Sequence, residues 1–254
     1  KLCFNEVKEF TDEFMPELSE KLMLYTGSQP IFDIYGVERG IQNALEKRVN
    51  LKSGGYLIIE QTEAMTTIDI NTGAFVGHRN LDETIFNTNI EATKAIAQQL
   101  QLRNLGGIII IDFIDMQKEN QKKDIVGILQ RELKKDKVKS IVCGMTSLGL
   151  VEMTRKRTTH SLIKNYCDIC PICNGTGHIL SVQSVIQQIH RELETVKRYG
   201  GARDLVIRCH PEVAALLKEE QKSGYFMKYF NRNIMIEEND HSNREVYSVL
   251  SSLK

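Results

Sequence analysis

The sequence predicts an α/β fold, in which helices connect the strands of a sheet, followed by a smaller α+β unit. Residues 54–145 alternate between short apolar runs and longer segments of helical spacing, which is the pattern of strands joined by helical crossovers. The run IIII at 108–111 is continuously apolar, as in a strand buried on both faces of its sheet. Past residue 180, an amphipathic helix precedes three strand-like segments, DLVIRC, NIMIEE and EVYSVL, which predict the second unit.

Composition limits the classes of function. The 254 residues can form one large domain or two modest ones. Because 33 basic residues balance 33 acidic ones, a nucleic-acid surface would have to be a local patch. No apolar run is long enough to span a membrane. The first residues lack both an apolar signal core and an initiator Met, so we expect a fragment. The cysteines do not form a secreted disulfide framework, which favours the cytoplasm.

The first elements follow from spacing and turn residues. Apolar residues recur at intervals of four from residue 10 to 18 and predict a helix. The stretch TGSQPIFD at 26–33 predicts a turn, and VERGIQNALEKR predicts a second helix. GGYLIIEQ and AMTTIDIN predict two strands joined by a turn, and in the second strand Asp69 faces away from Ile68 and Ile70.

The next elements alternate helix and strand. A helix is predicted from about 81 to 103, beginning with Asn80 and Glu83 as a capping box and ending with Gly106 and Gly107 as a C-cap pair. The apolar run at 108–111 follows as a strand. A third helix then carries apolar residues at helical spacing from 125 to 133, and VKSIVC returns as a strand.

Two carboxylates interrupt the most apolar strands. Asp69 and Asp112 each come near the end of a predicted strand, where the ligands of α/β sheets bind. They could simply cap the turns that follow, or they could converge on a divalent cation, for which oxygen donors favour Mg²⁺ or Mn²⁺. Asn71 could add an amide oxygen or orient a water molecule. We expect Asp115 to act as the N-cap of the next helix.

Basic residues cluster in two places. Arg155, Lys156 and Arg157 form the densest basic run, which could be a solvated helix face or a surface for a phosphate backbone. We expect Arg155 and Arg157 to contact phosphates. Four lysines between 134 and 139 form the second cluster, which is typical of a solvated helix end.

The segment CDICPICNGTGH at 167–178 resembles a metal-binding knuckle. Three thiols and one imidazole could close a site within one chain, from Cys167, Cys170, Cys173 and His178. Alternatively, Cys170 and Cys173 supply half of a site that a second chain completes. An iron–sulfur cluster and plain buried thiols are further alternatives. The other cysteines, at 3, 143 and 209, are predicted to be ordinary small apolar residues.

Five motifs resemble the ribonuclease E and G family in order and spacing. They are AMTTIDIN, DETIFNTNIEA, LRNLGGIIIIDFIDM, GLVEMTRKR and CPICNGTG. The resemblance implies that residues 46–166 form a catalytic deoxyribonuclease-like α/β subdomain and that residues 1–45 end a ribonuclease-H-like one. It further implies a zinc-link at 167–178 and a small α+β oligomerisation domain at 179–254, closer to the G branch of the family.

The resemblance also implies roles for individual residues. Asp69 and Asp112 would bind a catalytic Mg²⁺, with Mn²⁺ as a substitute, and Asn71 would support them. Cys170 and Cys173 would share one structural Zn²⁺ with a second protomer. Lys139 stands where an arginine that contacts an RNA 5′-phosphate is familiar, and lysine loses the bidentate fork.

The implied function is Mg-dependent cleavage of single-stranded RNA, giving 5′-phosphate and 3′-hydroxyl ends, in rRNA and tRNA processing and mRNA decay. The implied assembly is a homodimer through zinc, or a tetramer. The oligonucleotide-binding barrel and the 5′-end-sensing segment of the family are not recognisable here. The alternative function is therefore an inert, zinc-linked dimerisation and RNA-binding module.

Overall fold

A computed structural model describes residues 2–73, 81–199, 204–241 and 243–251. The chain folds into two compact units, Lys1–Cys167 and Asp168–Lys254. In the described part of the chain, no helix combines the length and the apolar character needed to cross a bilayer. The predicted capping residue Asn80 lies outside the described residues.

Four short helices begin the first unit: α1 (Leu2–Phe14), α2 (Pro16–Ser19), α3 (Ile31–Ile34) and α4 (Val37–Leu45). The two predicted helices are confirmed as α1 with α2 and as α4, whereas α3 begins inside the predicted turn at 26–33. Of its described residues, only Thr11 and Ala44 are buried. Phe10 and Phe14 lie on the surface with their ring centroids 4.9 Å apart. This segment therefore builds no core of its own.

The rest of the first unit forms a mixed sheet with its helices. Its strands are β1 (Arg48–Asn50), β2 (Tyr56–Gln61), β3 (Met65–Asn71), β4 (Gly107–Asp112), β5 (Ser140–Met145) and β6 (Leu150–Arg155), and its helices are α5 (Leu81–Leu102), α6 (Glu119–Leu133) and α7 (Leu162–Tyr166). The strand order is β1-β2-β3-β4-β6-β5. Of these pairs only β3 with β4 is parallel, joined by the crossover helix α5.

Strand β6 corrects the sequence prediction, which left residues 150–155 unassigned. It runs antiparallel between β4 and β5. Its alternate residues Val151, Met153 and Arg155 are buried, whereas Glu152 and Thr154 are exposed. The sequence alternates as a half-buried strand should, but a basic residue occupies one of the inward positions.

The sheet is buried on one face. Apolar residues of the strands and of α5 and α6 form one core, including Ile68, Ile109, Ile111, Ile96 and Leu129. The prediction that β4 is buried on both faces is wrong, because Ile108 of this strand is 48% exposed. One face therefore remains open to solvent, and the odd and even positions of each strand have different surroundings.

Helix α5 covers the predicted range, but its C-cap is not the predicted pair Gly106 and Gly107. Asn104 adopts the left-handed conformation with φ 48°. The N–H of Leu105 donates to the carbonyl of Leu100 (2.9 Å), and that of Asn104 donates to Gln101 (3.2 Å), which is a Schellman motif. Gly107 instead begins β4, with φ 100°. An asparagine can occupy this position because it tolerates positive φ.

The second unit is an α+β arrangement in which three helices and a three-stranded sheet pack around one core. Its elements are α8 (Val182–Arg198), β7 (Asp204–Cys209), α9 (Pro211–Lys222), α10 (Tyr225–Phe230), β8 (Asn233–Glu238) and β9 (Ser248–Ser251). The strand order is β8-β7-β9, with β8 parallel and β9 antiparallel to β7. Ile189, Ile207, Val213, Phe226 and Ile234 are among the residues of its core. The predicted helix and strands are confirmed.

Candidate active site and metal-binding residues

Two carboxylates lie side by side at one edge of the first sheet. In the parallel pair of β3 and β4, Asp69 is the direct Cα partner of Asp112. Neighbouring strands lie about 4.8 Å apart, so the two side chains point from adjacent positions. Both are exposed on the open face, while the preceding partners Ile68 and Ile111 are buried on the other. The structure thus brings together the two residues that the sequence singled out.

Asn71 holds one of these carboxylates in place. Its Nδ2 donates a hydrogen bond of 2.8 Å to Oδ2 of Asp69. The two residues share a face because they are separated by two positions in one strand. This hydrogen bond fixes the orientation of the Asp69 carboxylate and therefore also the direction of its other oxygen. The arrangement places three oxygen-bearing side chains at one edge of the sheet.

The charge of Asp112 is unfavourable in this position. Partial burial raises the pKa of its carboxyl above the ordinary value, and the neighbouring carboxylates of Asp69 and Asp115 raise it further. Two ionised carboxylates at adjacent positions repel each other. A divalent cation would remove this conflict, since the donors present are carboxylate and amide oxygens of the kind that Mg²⁺ prefers. The side chains fit such an ion.

Asn89 supports the segment that follows Asp112. This residue of α5 is fully buried. Its Nδ2 donates to the carbonyl of Ile114 (2.8 Å), and its Oδ1 accepts from the N–H of Ile114 (3.2 Å). Its role is not among those predicted from the sequence, although a polar residue on the buried stripe of a helix is a signal of such a role.

Asp115 does not cap the next helix. Helix α6 begins at Glu119, and its N-cap is Lys118, without a side-chain capping bond. The N-cap prediction for Asp115 is therefore wrong by three positions. Its exposed carboxylate instead lines a cavity of about 120 Å³, together with Lys122 and Gly149. A third negative charge thus lies near the carboxylate pair.

Arg155 is a structural residue in this fold. It is only 3% exposed. Its Nε donates to Oδ2 of Asp136 (2.8 Å), and its Nη1 donates to the carbonyl of Leu105 (2.8 Å). The expected contact between Arg155 and an RNA phosphate is therefore corrected, because its donors are already bound inside the protein.

Arg157 and Lys139 are exposed, but they lie away from the carboxylate pair. In the register of β4 with β6, Gly107 pairs with Arg155 and Asp112 pairs with Leu150. Five residues of strand separate these pairs, which is about 17 Å. Arg157 continues beyond β6, and its Nε donates to the carbonyl of Gly106 (3.3 Å).

Each of these two basic residues lines a cavity. The cavity beside Arg157 has a volume of about 400 Å³ and also contains His160 and Lys164. The cavity beside Lys139 has a volume of about 380 Å³ and also contains Lys134 and Lys137. Three of the four lysines expected to form a solvated helix end therefore surround a concave, positively charged surface, whereas Lys135 pairs with Glu132.

The cysteine segment forms a tight knuckle in the second unit. The N–H of Asn174 donates to the carbonyl of Cys170 (2.8 Å), and that of Thr176 donates to Cys173 (2.9 Å). Backbone N–H groups of Gly177 and Gly175 lower the pKa of the Cys173 thiol, and a hydrogen bond with Cys170 contributes. Two thiols joined by a hydrogen bond, one of them with a lowered pKa, are a ligand pair that suits a cation such as Zn²⁺.

Neither candidate metal site contains more than a pair of these ligands. In the parts of the chain that the structure describes, no three His, Cys, Asp or Glu residues are grouped so that they could hold one ion. The set of Cys167, Cys170, Cys173 and His178 is therefore not grouped around one point in the described residues.

The remaining cysteines differ from one another. Cys209 is fully buried, and burial followed by the charge of Glu238 raises the pKa of its thiol to about 11, so it is an inert apolar residue as predicted. Cys3 and Cys143 are exposed, which corrects the prediction that they pack as small apolar residues.

Comparison with known proteins relates both units to one family. The profile of the Ribonuclease E/G family matches residues 1–158, and that of the "RNase E/G, Thioredoxin-like domain" matches residues 169–252. Ribonuclease G of Haemophilus influenzae is 58% identical over 98% of this chain, and ribonuclease G of Escherichia coli K12 is 56% identical over 87%. Ribonuclease E of E. coli K12 is 36% identical over 82%.

The matched regions are only part of these relatives. The alignments cover 52% of the H. influenzae protein, 45% of the E. coli ribonuclease G and 20% of the E. coli ribonuclease E. The chain therefore spans about half the length of its ribonuclease G relatives.

Proposed function

The chain belongs to the ribonuclease E/G family, and on that premise we propose that it supplies the catalytic and zinc-binding residues of an endoribonuclease. The proposed substrate is single-stranded RNA. The observation that carries this proposal is the side-by-side pairing of Asp69 and Asp112 on the open face of the sheet. An inert RNA-binding module would have no need to keep two repelling carboxylates in register.

Asp69 and Asp112 would hold a divalent cation, Mg²⁺ or Mn²⁺. When bound there, such an ion supplies a Lewis acid that activates water and offsets the charge of the transition state. The bond from Asn71 orients the Asp69 carboxylate, so that little reorganisation is needed when substrate arrives. Asn89 fixes the backbone after Asp112 and so positions the second carboxylate.

We propose Arg157 and Lys139 as contacts to the RNA backbone. Both side chains are exposed and line positively charged cavities. Phosphate contacts of this kind position a strand without reading its sequence. Lys139 would act as a point charge, whereas the guanidinium of Arg157 can bind a phosphate with two hydrogen bonds.

We further propose that Cys170 and Cys173 supply half of the ligands of a zinc ion and that a second protomer supplies the other half. The knuckle supports this proposal because it presents two thiols and no third ligand among the described residues. A dimer, or a tetramer built from two dimers, would result. Thiols that bind zinc must remain reduced, which fits the proposed cytoplasmic location.

The proposed products carry 5′-phosphate and 3′-hydroxyl ends, and the proposed roles are rRNA and tRNA processing and mRNA decay. These details follow the family resemblance. They apply to the whole enzyme, of which this chain spans about half.

Metal-dependent stabilisation tests the carboxylate site without relying on activity. At a Mg²⁺ concentration about a hundred times the dissociation constant, binding contributes about 2.7 kcal/mol. For a unit of this size, that raises the melting midpoint by about 5–11 °C. We expect this rise in the unaltered protein and in Asp124→Asn, an exposed control on α6, but not in Asp69→Asn or Asp112→Asn.

Without added metal, the difference in melting midpoint between Asp112→Asn and the unaltered protein should reverse its sign. Asp112→Asn removes a negative charge that partial burial and the neighbouring carboxylates disfavour, so the melting midpoint of the variant at neutral pH should equal or exceed that of the unaltered protein. Cleavage of a single-stranded RNA should fall on the order of 10²-fold or more in either Asp variant. A metal-induced rise that persists in both variants would refute the site.

A further inference from the structure

A surface of the second unit combines aromatic rings with cationic side chains, and neither the carboxylate pair nor the zinc knuckle accounts for it. We call it the tyrosine platform and define it as Lys197, Arg198, Tyr225, Lys228 and Tyr229. The first two lie in the last turn of α8, and the other three lie in α10. Every platform residue except Lys228 lines a cavity of about 490 Å³, which Glu194 and Phe230 also line.

The rings of the platform are held in a fixed arrangement. The centroids of Tyr225 and Tyr229 lie 4.5 Å apart, with an angle of 41° between the ring planes. Tyr229 is 50% exposed, so part of its ring is available to a ligand. Phe226 and Phe230, whose rings contact that of Tyr225, are buried in the core and anchor the helix. Because the ring of Tyr229 is fixed before binding, little entropy is lost when a flat group stacks on it.

Lys197 and Lys228 each contact Tyr229. Nζ of Lys197 donates to the backbone carbonyl of Tyr229 (2.6 Å), which ties α8 to α10. Nζ of Lys228 lies 5.1 Å from the centroid of the Tyr229 ring, within the range of a cation–π interaction. The aromatic and cationic groups therefore form one surface.

The local charge is positive. Among the residues that line the cavity, the two cations Lys197 and Arg198 outnumber the single acid, Glu194. Lys228 adds a third positive charge beside the Tyr229 ring. Lys197 and Arg198 form no ion pair with any residue that the structure describes, so their charges remain available to a ligand. An apolar partner would gain nothing from these cations, and a simple anion would gain nothing from the exposed ring.

We propose that the tyrosine platform binds a segment of single-stranded RNA. A base would stack on Tyr229, and the adjoining phosphates would contact Arg198 and Lys197. Aromatic rings beside a basic groove are the combination that single-stranded nucleic acids recognise without sequence preference. The inference rests on the proposed ribonuclease function and gives the second unit a role in holding the substrate strand.

Binding of a fluorescein-labelled 12-nucleotide oligo(U) to the whole chain, without added Mg²⁺, tests the proposal by anisotropy. Tyr229→Ala should weaken binding about tenfold, within the range of one lost base stack. Tyr229→Phe keeps the ring and should stay within about twofold. Arg198→Gln should lower the salt slope by about 0.7, the value for one phosphate on a single strand. Tyr35→Ala, an exposed tyrosine of the first unit, is the control and should bind like the unaltered protein.

Photocrosslinking locates the contact directly. Oligonucleotides that carry 5-iodouridine should crosslink to the tryptic peptide 229–232, which begins with Tyr229. Crosslinks confined to the first unit, unaltered affinity in Tyr229→Ala, or no measurable oligo(U) binding by the unaltered protein would each overturn the platform. So would a Tyr229→Ala variant that loses self-association in light scattering but keeps its RNA affinity, because the surface would then join two copies of the chain.

Cleavage measured in the same preparations separates this inference from the proposed function. If Mg²⁺ produces no cleavage but Tyr229→Ala still weakens binding, the platform stands and the ribonuclease proposal fails. If the RNA is cleaved and Tyr229→Ala binds normally, the platform alone fails.

Discussion

Replacing Arg155 with Ala should destabilise the first unit rather than weaken RNA binding directly. The side chains of Arg155 and Asp136 are only 2% and 8% exposed, and their ion pair is 2.8 Å long. Removing one partner of a buried pair leaves the other charge uncompensated and costs about 3–5 kcal/mol. We expect a value near the lower limit, about 3 kcal/mol, because Asp136 keeps the hydrogen bond from the N–H of Val138.

This loss corresponds to a fall in the melting midpoint of about 6–12 °C, at about 2–4 °C per kcal/mol. Arg157→Ala is the matched control, because Arg157 is exposed two residues further along. It should change stability by no more than about 0.5 kcal/mol. Segment-resolved hydrogen exchange should show faster exchange in β5 and β6 of Arg155→Ala, since these strands meet at the pair Ser140–Arg155.

Unfolding by acid provides an independent test of the stabilising role of the Arg155–Asp136 pair. Burial alone would raise the pKa of Asp136, but hydrogen bonds from Val138 and Arg155 overcome it, and the pKa lies below its ordinary value. The ionised pair therefore stabilises the protein above the unfolded-state pKa of about 4, and this stability is lost as the pH falls through the lower folded-state pKa. Arg155→Ala should reduce the acid dependence. Equal, small effects of Arg155→Ala and Arg157→Ala on stability would refute the structural role.

Three further predictions concern other parts of the chain. Asn89→Ala should cost about 1–3 kcal/mol through the unpaired groups of Ile114, and should weaken the Mg²⁺-induced rise in melting midpoint; an unchanged metal response would separate Asn89 from the site. Cys173→Ser should convert a zinc-linked dimer into monomers and abolish zinc content, as measured by light scattering and elemental analysis, whereas a full zinc per monomer would contradict the shared site. Arg157→Ala should weaken binding to all RNA sequences alike and lower the salt slope by about 0.7; a loss confined to one sequence would contradict a phosphate contact.

The sequence predicted the carboxylate strand well because its alternation is regular. In β3, Thr66, Ile68 and Ile70 are buried, and Asp69 and Met65 are exposed, as the period of two requires. Because about one strand–helix–strand unit separates the two aspartates, the sequence also predicted that Asp69 lies near Asp112. What the spacing could not give was the register of the two strands, which is set by side-chain packing across the sheet.

The burial of Arg155 can also be predicted from the sequence, but only under one condition. Once residues 150–155 are recognised as a strand, Arg155 falls on the same face as Val151 and Met153 and must be buried. Its position in a run of basic residues favoured a surface interpretation instead. The buried partner Asp136 lies 19 residues earlier, and no local pattern links the two, because the antiparallel pairing of β5 and β6 brings them together.

The apolar core fixes the distance between the two carboxylates. Ile68 pairs with Ile111 one position before Asp69 pairs with Asp112, and both isoleucines are buried against the helices. A slip of one residue would turn Asp112 towards that core, where an uncompensated charge costs several kcal/mol. The same packing therefore excludes the alternative register and holds two like charges in adjacent positions. Partial burial, followed by the repulsion from Asp69 and Asp115, raises the pKa of Asp112, and the proposed cation would relieve that repulsion.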